Sequence, residues 1–193
     1  MKKLLLSMLL AFCGTASAAL PLPADSVMQL QDRFTNQDGK PFSLASRRGR
    51  PHVVAMFYTS CQFVCPLIIE SGKGVDHALT PVERATLRFL LISIDPARDT
   101  PAVLKSVSVQ RKVDTRRWTL ARTDESGVRK TAALLGVRYR KLEDGEFNHT
   151  SALILLDADG RVVARMEKLG AVPDAPFIAA VRKTIAARPT QAQ

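Results

Sequence analysis

Aromatic residues are scarce in this chain, with one Trp, two Tyr and eight Phe among 193 residues. The basic residues are scattered, as Arg47-Arg48-Gly49-Arg50, Arg116-Arg117 and Arg138 to Lys141. No stacking platform for nucleic acid is therefore visible. Beyond the N-terminus there is no apolar run near the roughly 20 residues that cross a bilayer as a helix. There is no internal repeat and no low-complexity block, which excludes a repeat array. Cysteine is rarer still, with three in all. Cys13 lies in the N-terminal segment, so a disulfide framework is excluded and Cys61 and Cys65 are left as a lone pair.

The N-terminus reads as an export signal: Lys2 and Lys3, then an apolar core from Leu4 to Phe12, then Ala16-Ser17-Ala18 as a small-x-small cleavage site. The apolar core is about half the length of a spanning helix, so an uncleaved anchor is the weaker reading. Bulky Phe12 ahead of Cys13 disfavours a lipid attachment there. The expected organisation is a signal peptide at 1–18 and one domain at 19–193, with its core at about 26–187, which is enough chain to bury a real interior. The formal net charge is +10. A solvated basic surface accounts for it. The alternative is contact with an acidic partner or an anionic membrane face.

Hydrophobic patterning divides the chain. Val27 to Phe34 and Pro41 to Leu44 read as a hairpin around the Asp38-Gly39 turn. Val53 to Tyr58 and Leu87 to Ile94 are continuous apolar runs, as expected of strands buried on both faces. A helix is expected from Pro66 to Leu79. Thr100 and Pro101 cap and open another, running to about Lys112. Trp118 to Arg122 reads as a short strand. Asp124 or Ser126 caps a helix ending near Leu135-Gly136. Val137 to Leu142, Ser151 to Leu156 and Arg161 to Glu167 read as strands, the last pair turning at Asp157 to Gly160. Pro173 to Ala187 is a terminal helix. Alternation followed by an antiparallel pair predicts an α/β fold, with a central mixed sheet flanked by helices and an N-terminal β-hairpin.

The chemistry concentrates in Cys61-Gln62-Phe63-Val64-Cys65-Pro66, at the end of a central strand, where open α/β sheets place their sites. Outside the cytosol such a pair is a staple, a redox dithiol or a metal clamp. Residues four apart on a helix have Cβ atoms about 5–6 Å apart, slightly wide for a disulfide at about 3.5–4.5 Å. Two bonds of about 2.3 Å to one metal are more forgiving. With Cys61 just ahead of the helix, both states are within reach. A helix N-terminus also favours the thiolate. A staple closing so short a loop would stabilise little.

Two thiolates leave a metal under-coordinated. The candidates for a third ligand are His52, His77, His149 and Met56. His52 lies at the far end of the strand and His77 about three turns from Cys65, so both read as structural. His149 sits in a loop, Asp144 to Thr150, that can bring it to the cysteines or leave it in solvent. Two sulfurs and one imidazole in an open site suit copper, whereas zinc prefers a fourth ligand. Asp95 and Asp99 read as turn and cap residues, with Asp95 also placed to tune the site's charge.

Three blocks together resemble the SCO/SenC family: Phe57 to Pro66 its copper motif, Ile92 to Pro101 its second signature, and Asn148-His149-Thr150 its histidine region. They occur in the family's order, and the resemblance runs from about Ser26 to Ile185. It implies a thioredoxin-like fold, an extracytoplasmic, here periplasmic, location, and a copper ion held by Cys61, Cys65 and His149. Asp95 maps onto the family's aspartate near the metal. The resemblance also implies a metallochaperone for a cuproprotein or oxidase subunit with a dithiol copper site, such as the binuclear site of cytochrome c oxidase. The alternatives are a thiol-disulfide oxidoreductase, with Cys61 and Cys65 as catalytic residues and a thiol reductant as partner, or a thioredoxin-like peroxidase with Cys61 as the reactive thiolate. The chain departs from the family in Gln62-Phe63, where Pro-Asp is common, and in Asn148, where Asp is common. Each change removes an acid near the site.

Overall fold

The structure, a computed structural model, describes residues 21–187 apart from Gln62 and Phe63, and at Val64 and Cys65 the backbone only. The proposed signal peptide lies outside the described residues. Strands β1 (Arg33–Asn36) and β2 (Pro41–Ser43) form the N-terminal hairpin. Then come β3 (His52–Phe57), α1 (Val64–His77), α2 (Pro81–Thr86), β4 (Arg88–Ser93), α3 (Pro101–Gln110), β5 (Trp118–Arg122) and α4 (Glu125–Leu134). The chain closes with β6 (Tyr139–Lys141), β7 (Phe147–His149), β8 (Leu153–Leu156), β9 (Val162–Met166) and α5 (Ala175–Ala186).

Seven strands make one mixed sheet in the order β2-β1-β5-β4-β3-β8-β9. The three central strands run parallel, and the flanking pairs are antiparallel. Every residue of β3 is buried, as its unbroken apolar run requires of a strand covered on both faces. The other two strands, β6 and β7, pair only with each other.

Local chemistry explains most boundaries. Asn36 Oδ1 accepts from the N–H groups of Asp38 and Lys40 and closes the first hairpin. Thr100 Oγ1 accepts from Val103 N to cap α3, and Asp124 caps α4. Asp157 Oδ1 closes the β8–β9 turn by accepting from Asp159 N and Arg161 N. The segment Val27–Gln29 is a 3-10 turn rather than a strand. Helix α1 starts at Val64, before the expected Pro66, because a proline in the first turn forfeits only an N–H that has no intrahelical partner.

Helix α1 is seated by close contact. Asp76 takes two bonds from Arg117, at 2.5 and 2.8 Å. Gly72 faces the Trp118 ring, where a Cβ would stand 2.5 Å from the ring edge. Trp118 is itself stacked on Phe89, ring centroids 4.1 Å apart, and has nowhere to retreat. Gly72→Ala is thus expected to destabilise the protein by about 1–3 kcal/mol through overpacking, despite alanine's better helix propensity. A urea midpoint unchanged from wild type would show that the ring yields.

Candidate metal and thiol site

Strand β3 leads into the cysteine segment, and β8, which begins just after His149, pairs antiparallel with β3. Val54 pairs with Ile154 and His52 with Leu156. Cys61 follows as a half-buried residue packed against the core. Cys65 lies in the first turn of α1.

His149 is not on a loop. It ends strand β7, which pairs with β6 in the register Tyr139 to His149, Arg140 to Asn148 and Lys141 to Phe147. The turn is built by Asp144-Gly145. Asp144 Oδ1 accepts from Glu146 N at 2.9 Å, and Gly145 takes a φ of 82°, in the left-handed region glycine tolerates. Thr150 N donates to Arg138 O at 2.8 Å and closes the open end.

The imidazole has one fixed tautomer. Its Nδ1 lies 3.1 Å from Thr150 O, and a carbonyl only accepts, so Nδ1 carries the hydrogen. Nε2 then presents a lone pair. That nitrogen is buried and has no hydrogen-bond partner, and burial holds the ring's pKa below its ordinary value. A buried, neutral imidazole with an unused lone pair is the state a metal ligand requires.

Tyr58 stands between the two halves of the site. It is 3% exposed, and its ring meets those of Phe147 and His149 edge-on at 5.2 and 5.7 Å. Its hydroxyl donates to Phe147 O at 3.2 Å and accepts from Phe147 N at 3.3 Å. Burial above all, and after it the neighbouring Cys61 and Glu146 side chains, push the phenol pKa up. Arg98 fastens the hairpin turn from the other side, donating to Gly145 O at 2.6 Å and standing 3.5 Å from Glu146 Oε1. Ser60 reaches the same carboxylate at 3.5 Å.

Asp95 and Asp99 lie behind the site. Asp95 is buried and ion-paired with Arg98. Asp99, fully buried, does not cap α3. It accepts from Ser93 Oγ at 2.5 Å and from Thr59 N and Thr59 Oγ1, which pins the strand exit two residues before Cys61. Burial raises its pKa, and those bonds oppose the rise.

Cys61 and His149 thus converge on Tyr58, and the Cys65 backbone begins the adjoining helix. The other candidate ligands lie elsewhere: Met56 is in the core, His77 is exposed at the end of α1, and His52 is buried at the opposite end of β3. Among the described residues no three His, Cys, Asp or Glu side chains form a group of their own that could hold a metal. The sequence reading missed Tyr58, Arg98 and Glu146. The one available signal was that one of only two tyrosines sits three residues before Cys61.

Comparison with known proteins bears on this arrangement. A family model described as SCO1/SenC matches residues 25–186. A Stutzerimonas stutzeri protein named for copper binding is 34% identical over 88 residues, 45% of this chain and 42% of that one, so the match spans less than half the relative's length. The SCO1 protein homolog of Bacillus subtilis is 28% identical over 133 residues, 67% of this chain and 68% of its own. Among solved structures, Bradyrhizobium japonicum ScoI with copper bound superposes with a TM-score of 0.66 at 26% identity, covering 79% of this chain and 96% of that one. The fold is thioredoxin-like, as in these relatives.

Proposed function

The chain belongs to the SCO1/SenC family, and on that premise we propose that it carries copper as cargo, held by Cys61, Cys65 and His149, outside the cytosol. The observation that carries the reading is His149 Nε2, buried, unprotonated and without a hydrogen-bond partner, on a hairpin fastened by Tyr58, which lies three residues before Cys61. Two soft thiolates and one imidazole suit copper, and Cu(I) accepts so low a coordination number. The copper-binding name of one relative and the copper-bound structure of another support the same cargo. The acceptor is a cuproprotein with a dithiol site, such as the binuclear copper site of cytochrome c oxidase. Residues 1–18 act as the export signal and 19–193 as the working domain.

The test is stoichiometric. Cu(I) titrated into the reduced protein should bind at one ion per chain, and Cys61→Ser and Cys65→Ser should each abolish tight binding. Tight binding that survives in both variants, or none in the wild type, overturns the proposal.

One observation favours a second reading on the same residues. Cys61 precedes α1 and Cys65 lies in its first turn, a setting that favours the thiolate needed for disulfide exchange. In that reading Cys61 attacks a partner disulfide, Cys65 resolves the mixed disulfide, and a thiol reductant regenerates the pair.

A further inference from the structure

The phenol of Tyr58 uses both of its hydrogen-bonding roles on one residue: it donates to Phe147 O at 3.2 Å and accepts from Phe147 N at 3.3 Å.

We propose that Tyr58 is a positioning residue that holds the β6–β7 hairpin, and with it His149, against the end of the strand that leads to Cys61. The inference rests on the copper reading for its consequence but not for its geometry. Tyr58 satisfies both main-chain groups of Phe147, the residue two before His149, as a neighbouring strand would. The hairpin belongs to no larger sheet, so this side chain supplies a pairing that the backbone does not.

Tyr58→Phe isolates the claim, because the ring contacts with Phe147 and His149 can persist while the hydroxyl is lost. Two measurements test it. In the metal-free reduced protein, amide exchange at Phe147 should accelerate at least tenfold in the variant, with β3 and β4 amides unchanged. In copper titrations, Tyr58→Phe should lower affinity about 10–100-fold, as supporting residues behind metal ligands do, and should add little in a His149→Ala background. That non-additivity distinguishes action through His149 from general loosening, which would subtract equally in both backgrounds. Unchanged exchange at Phe147, or equal affinity losses in both backgrounds, overturns the proposal. If copper does not bind at all, the cargo reading fails and the exchange experiment still decides the role of Tyr58.

Discussion

His149→Ala is expected to lower the copper affinity of the reduced protein by more than about 100-fold, the upper end of what residues merely supporting a ligand cost, while leaving Cys61–Cys65 disulfide chemistry in place. A staple or core role for His149 predicts the opposite balance, lost stability with copper binding intact. The structure argues against such a role. Nε2 makes no hydrogen bond although it is buried, and an unmet buried polar group costs about 1–3 kcal/mol. Without metal the alanine variant sheds that unmet nitrogen but also loses the bond to Thr150 O and the ring contact with Tyr58, so its urea midpoint should lie close to the wild type's or slightly below it. With copper present the gap widens, because the wild type gains more stability from a tightly held ligand. Paired urea denaturations with and without Cu(I) check both halves. A variant that keeps wild-type affinity would remove His149 from the ligand set and leave the dithiol to the oxidoreductase reading.

Lowering the pH from 7 to 4 is expected to remove about 3 kcal/mol of stability through His52 alone, at roughly 1.4 kcal/mol per pKa unit. His52 Nδ1 donates to Arg50 O at 2.8 Å, so Nε2 is an acceptor, and it is buried without a partner. Burial first, then the charges of Arg47, Arg88 and Arg50, bring the pKa down from 6.5 to about 4, against the bond to Arg50 O. The folded state then binds fewer protons than the unfolded state between those values, and stability falls as the pH drops through them. His149 acts in the same direction. Asp99 acts in the opposite one: its raised pKa makes its contribution greatest below 3.8, lost as pH rises through the folded value. The difference between wild type and His52→Phe isolates the histidine. Urea midpoints should slope less steeply with pH in the variant, and identical slopes would show that His52 does not govern the acid limit.

The sheet was readable because its signals are local and strong. Val53 to Tyr58 and Leu87 to Ile94 are apolar at every or nearly every position, and Trp118 to Arg122 is bounded as expected. Asp38-Gly39 and Thr100-Pro101 announce a turn and a helix start through one or two side chains. The placement of the cysteines follows from the same signals. The site's other half does not. Phe147-Asn148-His149 has a single apolar residue, too little for an alternating pattern, and it pairs with three residues, of which two are charged. Its position depends on Tyr58, 89 residues away in sequence, and on Arg98, 47 residues from Gly145. Asp99 misled in the same way. Beside Thr100 it looks like a capping residue, and only the folded chain brings Thr59 to it.

On the copper reading the protein has to surrender its ion as well as seize it. Parting the β6–β7 ribbon from the body breaks the contacts of Tyr58, Arg98 and Ser60 and lifts Tyr139 and Phe147 off the core, but it breaks no rung of the seven-stranded ladder. Such an opening draws on a small local free energy rather than on the global one. The grip on the ion is therefore set largely by residues outside the seven-stranded ladder, such as Arg98 and Ser60, and selection can shorten the ion's residence time with little loosening of that ladder.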